Sequence, residues 1–77
     1  MAVSEKVKAL LKLKGRKSSE LAEYLGISPQ AMANKLYRNS FSAIDLIKIS
    51  DFLGCELSYN VSHNQKIVLD ISDIDGA

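Results

Sequence analysis

The sequence predicts a mainly α domain of four to five helices with a C-terminal two-stranded β-hairpin. Apolar residues recur at helical spacing as far as residue 53, interrupted by glycines at positions 15 and 26 and ended by Gly54. After Gly54 the apolar period drops from about 3.6 to 2, the spacing of a half-buried strand. With 77 residues and 47% hydrophobic side chains, the chain can build one compact core but not a deep substrate cavity.

The first helix is expected over residues 4–14, with Val7, Leu10 and Leu11 inward and Gly15 as its stop. The second starts at Ser18, whose hydroxyl can accept from the free N–H groups of the first turn, and buries Leu21, Ala22 and Leu25. Gly26 ends it, because a residue without Cβ adopts the left-handed conformation at little cost. A tight Leu25-Gly26-Ile27-Ser28 turn follows, and Ser28-Pro29 supplies an N-cap and a proline at the first position of a third helix over residues 28–38. There Met32 and Leu36 face inward, while Gln30, Ala33, Asn34 and Tyr37 form an outward stripe.

The connector Asn39-Ser40-Phe41 leads to Ser42, which with Asp45 forms an approximate capping box, and Leu46, Ile49 and Leu53 then keep helical spacing to Gly54. Phe41, Ile44, Ile47 and Phe52 add apolar surface for the core. Residues 56–61 and 66–71 alternate, with Leu57, Tyr59 and Val61 on the apolar side of one strand and Ile67, Leu69 and Ile71 on that of the other. The polar Ser62-His63-Asn64-Gln65 between them suits a hairpin loop. Residues 72–77 read as a frayed acidic tail, and no internal repeat or low-complexity segment is present.

A solvent-facing helix ordinarily carries Glu and Lys pairs, so an outward stripe of Gln, Asn and Tyr points elsewhere. Asn and Gln can hydrogen-bond adenine bidentately in the major groove, and Ala can meet a thymine methyl. The segment resembles the helix-turn-helix of the lambda-repressor-like (Cro-like, XRE-like) family, whose small first-helix residue, turn glycine and following apolar residue stand here as Ala22, Gly26 and Ile27. The likeness covers residues 4–54, and it implies sequence-specific binding of double-stranded DNA with residues 28–38 as the recognition helix.

The candidate DNA contacts are Arg16, Lys17, Ser28, Pro29, Gln30, Ala33, Asn34, Lys35, Tyr37, Arg38 and Asn39. Ser28, Gln30, Asn34 and Tyr37 are suited to base edges, whereas Arg16, Lys17, Lys35, Arg38 and Asn39 are suited to phosphates. Pro29 departs from the family pattern, because many members carry Gln or another polar residue there and proline has no donor; hydrogen bonds at that point must come from its neighbours. Lys35 precedes the inward Leu36 and could equally lie on the flank. The net charge of +1 hides an asymmetry. Residues 1–38 carry eight basic and three acidic side chains, net +5, and residues 39–77 carry two basic and six acidic ones, net −4. A polyanion would meet the first half and be kept away from the second, although Lys6 and Lys8 equally suit simple solvation of the first helix.

Nothing in the sequence calls for catalysis, a cofactor or a metal. His63 is a lone loop residue, Asp70, Asp73 and Asp75 do not complete a calcium loop, and there is no glycine-rich phosphate loop. The single Cys55 fits a small apolar residue in a reducing cytosol. The lysine-broken amphipathic start has no export core and nothing near the roughly 20 apolar residues of a membrane span, so a cytoplasmic protein is expected. Residues 1–54 are expected to form the DNA-binding part, and residues 55–77 a hairpin and tail belonging to the same domain. Two functions suit this pattern. One is a transcriptional regulator, a dimeric repressor of the phage or mobile-element kind; some Cro-like relatives dimerise through a C-terminal strand, and an edge rich in Ile, Val and Leu invites pairing. The alternative is a protein-interaction module, such as an antitoxin or adaptor, whose partner docks on the hairpin.

Overall fold

In a computed structural model, residues 2–74 are described, and they form four α-helices, a β-hairpin and a short 3-10 turn. The helices are α1 (Val3–Leu13), α2 (Ser18–Leu25), α3 (Pro29–Arg38) and α4 (Ala43–Leu53); the strands are β1 (Leu57–Ser62) and β2 (Gln65–Leu69). The chain divides into two compact units, the first ending at Ser42 and the second beginning at Ala43, so that α4 is grouped with the hairpin.

In the first unit α3 packs on both α1 and α2. Its buried apolar residues are Val7 and Leu11 from α1, Leu21 and Ala22 from α2, and Met32 from α3. Three inward positions read from spacing, Leu10, Leu25 and Leu36, are only half-buried. The start of α2 departs from expectation. Ser18 is the first helical residue rather than the cap, and Lys17 occupies the cap position without a side-chain cap bond. The N–H of Lys17 instead donates to Glu20 Oε1 at 2.8 Å, and its carbonyl accepts from the N–H groups of Glu20 and Leu21. A carboxylate on the third residue of the helix reaches back across the first turn, the reciprocal half of a capping box, and this moves the cap one residue earlier.

In the second unit α4 packs on β1 and on the 3-10 turn Ile71–Asp73. Ile47, Ile49 and Leu53 are buried and Phe52 is half-buried, but Ile44 faces solvent. The strands pair antiparallel, with Leu57 opposite Leu69, Ser58 opposite Val68, Tyr59 opposite Ile67 and Asn60 opposite Lys66. Ser62 then opposes Gln65, so Val61 is an extra residue that bulges the strand, and the turn shortens to His63-Asn64. A salt bridge of 2.6 Å joins Lys66 Nζ to Glu56 Oε1. Ile71 lies in the 3-10 turn rather than in the strand, and so do Ser72 and Asp73 of the expected frayed tail. Asp70 caps that turn: its Oδ1 accepts from the Ser72 N–H, and its own N–H donates to Asp73 Oδ2. The rest of the acidic tail, residues 75–77, lies outside the described residues.

Burial separates leucines of the same helical part of the chain. Leu21 is 0% exposed and Leu13, also a helical leucine, is 82% exposed. Leu21→Ala should lower unfolding stability by about 2–5 kcal/mol, through lost transfer energy and the cavity left behind. Leu13→Ala should change it by less than about 0.5 kcal/mol. Urea denaturation of the two variants checks the contrast.

Candidate nucleic-acid interface

The face that could meet a duplex is built from the turn between α2 and α3. Gly26 takes φ +73°, and the chain reverses with Gly26 N–H donating to the Glu23 carbonyl at 3.1 Å and Ile27 N–H to the Ala22 carbonyl at 3.0 Å. These bonds satisfy carbonyls that the end of α2 leaves without partners. Two residues later Ser28 opens α3: its Oγ accepts from Ala31 N–H at 3.1 Å, its carbonyl accepts from Met32 N–H at 3.0 Å, and Pro29 sits at the first helical position. Met32, buried one turn into α3, anchors the inner side, so the opposite side of α3 faces outward.

Ser28, Pro29, Gln30, Ala33, Asn34, Tyr37 and Arg38 are all exposed. Gln30 and Asn34 are brought together, with Gln30 Nε2 donating to Asn34 Oδ1 at 3.3 Å. Their i, i+4 spacing allows this contact, and it holds the two amides as a pair whose remaining groups include the Gln30 Oε1 acceptor and the Asn34 Nδ2 donor. Because Ser28 Oγ already serves as an acceptor, its hydroxyl proton is available to donate outward. Tyr37, 90% exposed, closes the stripe toward the end of α3.

The cations divide into two groups. Lys35 and Arg38 lie in the last turn of α3, Lys35 half-buried and Arg38 exposed. Arg16 and Lys17 flank the start of α2, where the helix dipole adds partial positive charge. Arg16 Nε approaches Glu20 Oε2 at 3.4 Å. The hydrogen bond from the Lys17 backbone, with Arg16 and Lys17 nearby, holds the Glu20 carboxyl below the usual glutamate range. The same carboxylate therefore caps α2 and offsets part of the cationic charge beside it.

Asn39 has a role that the sequence reading missed. It ends α3 in the left-handed conformation, φ +56°, and its Oδ1 accepts from the Ser4 N–H at 2.7 Å and the Ser4 hydroxyl at 3.2 Å. An asparagine after an apolar helix can be read as a C-cap, but a partner 35 residues away leaves no local signal.

The sequence profile of the bacteriophage CI repressor helix-turn-helix domain matches residues 2–65. The chain belongs to that family. The matched span is longer than residues 4–54, for it takes in β1 and the hairpin turn and ends at the first residue of β2. No curated protein and no solved structure matches the chain. As a phage CI repressor domain it is a DNA-binding transcription-regulatory module of the repressor class. Among the described residues no helix is long and apolar enough to cross a membrane.

The lowered Glu20 pKa gives this CI repressor domain a pH dependence of known sign. A carboxylate favoured in the folded state stabilises fully above its ordinary pKa, and the contribution is lost as pH falls through that range to the lowered value. Glu20→Gln keeps an oxygen for the Lys17 N–H and removes the charge. Wild type should exceed E20Q in urea midpoint at about pH 7, and the difference should shrink as pH falls below the usual glutamate range toward the lowered pKa.

Proposed function

We propose that this CI repressor domain is a sequence-specific, dimeric repressor of the phage or mobile-element kind that acts in the cytoplasm by placing α3 in the major groove of a two-fold operator. The Gln30–Asn34 amide pair on the exposed side of α3 carries this reading. Adenine offers an N7 acceptor and an N6 donor in the major groove, and the pair offers Asn34 Nδ2 and Gln30 Oε1 to match them. Ala33 beside them suits a thymine methyl, and Ser28 and Tyr37 extend the reading face to both ends of the helix. Arg38 and Lys35 at one end of α3, and Arg16 and Lys17 at the start of α2, suit phosphates; they would fix register without reading sequence. Pro29 has no donor and shapes the start of the helix.

Dimerisation is supported by the hairpin. Tyr59, Val61 and Ile67 are 68%, 61% and 61% exposed, and neither edge of the two-stranded sheet has a further strand among the described residues. Isolated two-stranded sheets are marginal in water, so pairing with a second copy would both cover the apolar residues and extend the sheet. The same surface would serve a protein partner if the domain were an antitoxin or adaptor.

Two measurements test these proposals. Selection from a random duplex pool at near-physiological salt, where charge-driven binding is weak, should enrich an inverted repeat. A folded double variant, Gln30→Ala with Asn34→Ala, should lose about tenfold or more of the preference for that repeat, and an unchanged preference would remove these residues from the reading face. Ile67→Asp should turn a dimer into a monomer in sedimentation equilibrium and weaken binding to the full repeat more than to a half-site. A monomeric wild type would direct attention to a hairpin partner of a different sequence.

A further inference from the structure

The first turn of α1 has an unusual cap. The Glu5 N–H of that turn reaches the Ala2 carbonyl at 3.2 Å, but Ala2, in the cap position, has no side-chain oxygen to offer the Ser4 N–H. The missing acceptor comes from the far end of α3, as Asn39 Oδ1 takes both the Ser4 N–H and the Ser4 hydroxyl. Ser4 is itself buried, so its polar atoms would lack solvent if that oxygen were withdrawn. Two demands meet at position 39. The backbone must be left-handed to end α3, which Gly, Asn and Asp tolerate, and the side chain must bring an acceptor, which excludes Gly.

We infer that Asn39 is a positioning residue for DNA reading, a clip that ties the end of α3 to the start of α1 and thereby fixes the orientation in which Gln30 and Asn34 are presented. The inference rests on α3 being the recognition helix. The clip takes the amide oxygen as an acceptor and leaves Asn39 Nδ2 as the donor that a phosphate contact would need. Base-edge hydrogen bonds demand placement within about 0.5 Å, and a helix held only at its first turn by Ser28 and the α2 turn would leave its far end to packing alone.

The test uses Asn39→Gly, which keeps the left-handed backbone and loses the acceptor, beside Asn39→Asp, which keeps both. Three quantities are measured for each: Ser4 amide hydrogen exchange, the α1–α3 orientation from residual dipolar couplings, and the ratio of affinities for the selected repeat and a random duplex across a salt series. N39G should remain folded, exchange the Ser4 amide about tenfold faster, reorient α3 against α1, and lose about tenfold in the ratio with its salt slope unchanged. N39D should keep the Ser4 protection, the orientation and the ratio, although its added charge can lower binding to every duplex alike. An N39G ratio equal to wild type, with affinity lower on all duplexes, would overturn the clip in favour of a phosphate contact. A wild type without any site preference would instead remove the regulator reading. The α1–α3 orientation of N39G would then decide the clip, and an unchanged orientation would overturn it.

Discussion

The helix-turn-helix of this domain depends on how the chain stops one helix and starts the next within the three residues 26–28. The left-handed Gly26 lets Ile27 N–H return to the Ala22 carbonyl, and Ser28 Oγ at once takes the N–H of Ala31. Each bond satisfies a backbone group that a helix end would otherwise leave bare. Because the turn is this short, the direction of α3 follows from that of α2 with few free dihedrals. Any Cβ at Gly26 would meet open space, so the glycine is required by its φ and not by crowding. Burial of Leu21, Ala22 and Met32 then fixes the rotation of α3 about its axis, and rotation decides which side chains face outward.

An exposed helix face made of amides and a tyrosine costs little in folding and contributes little to stability. Gln30 and Asn34 are bonded to each other at 3.3 Å, which already limits the rotamers each can adopt. The cations, in contrast, stand at helix ends, Arg38 in the last turn of α3 and Arg16 and Lys17 at the start of α2. Long-range attraction needs no exact geometry and amide recognition does. The sequence separates the two kinds of group, with charges before α2 and in the last turn of α3 and the paired amides in the first half and middle of α3.

Local physics in this chain was legible from the sequence, and contacts distant along the chain were not. Gly26, Ser28 and Pro29 announce the turn because capping acts over one to four residues, and the change of period at Gly54 announces the hairpin. Ser18 looks like a cap in sequence, but two polar residues compete for one helix start, and the carboxylate of Glu20, reaching back to Lys17, prevails. The exposed positions on α3 follow from spacing once Met32 faces inward. The bond from Ser4 to Asn39 could not be read, since neither residue's neighbours hint at the other. Nor could the fate of Tyr59, Val61 and Ile67, because alternation tells which residues share a side of a strand and says nothing of what covers that side.

Those three residues raise a question of control. Among the described residues neither strand edge is covered by a further strand, and open edges beside exposed apolar side chains would favour pairing without end, one copy adding to the next. The bulge at Val61 works against this. It leaves one residue of β1 out of the ladder just before the His63-Asn64 turn and increases the local twist, so a partner strand cannot follow β1 along its full length. Between Gln65 and Leu69 β2 carries no such interruption, and Lys66, joined to Glu56, marks one side of it with charge. A hairpin with one regular edge and one bulged edge would confine any such pairing to β2.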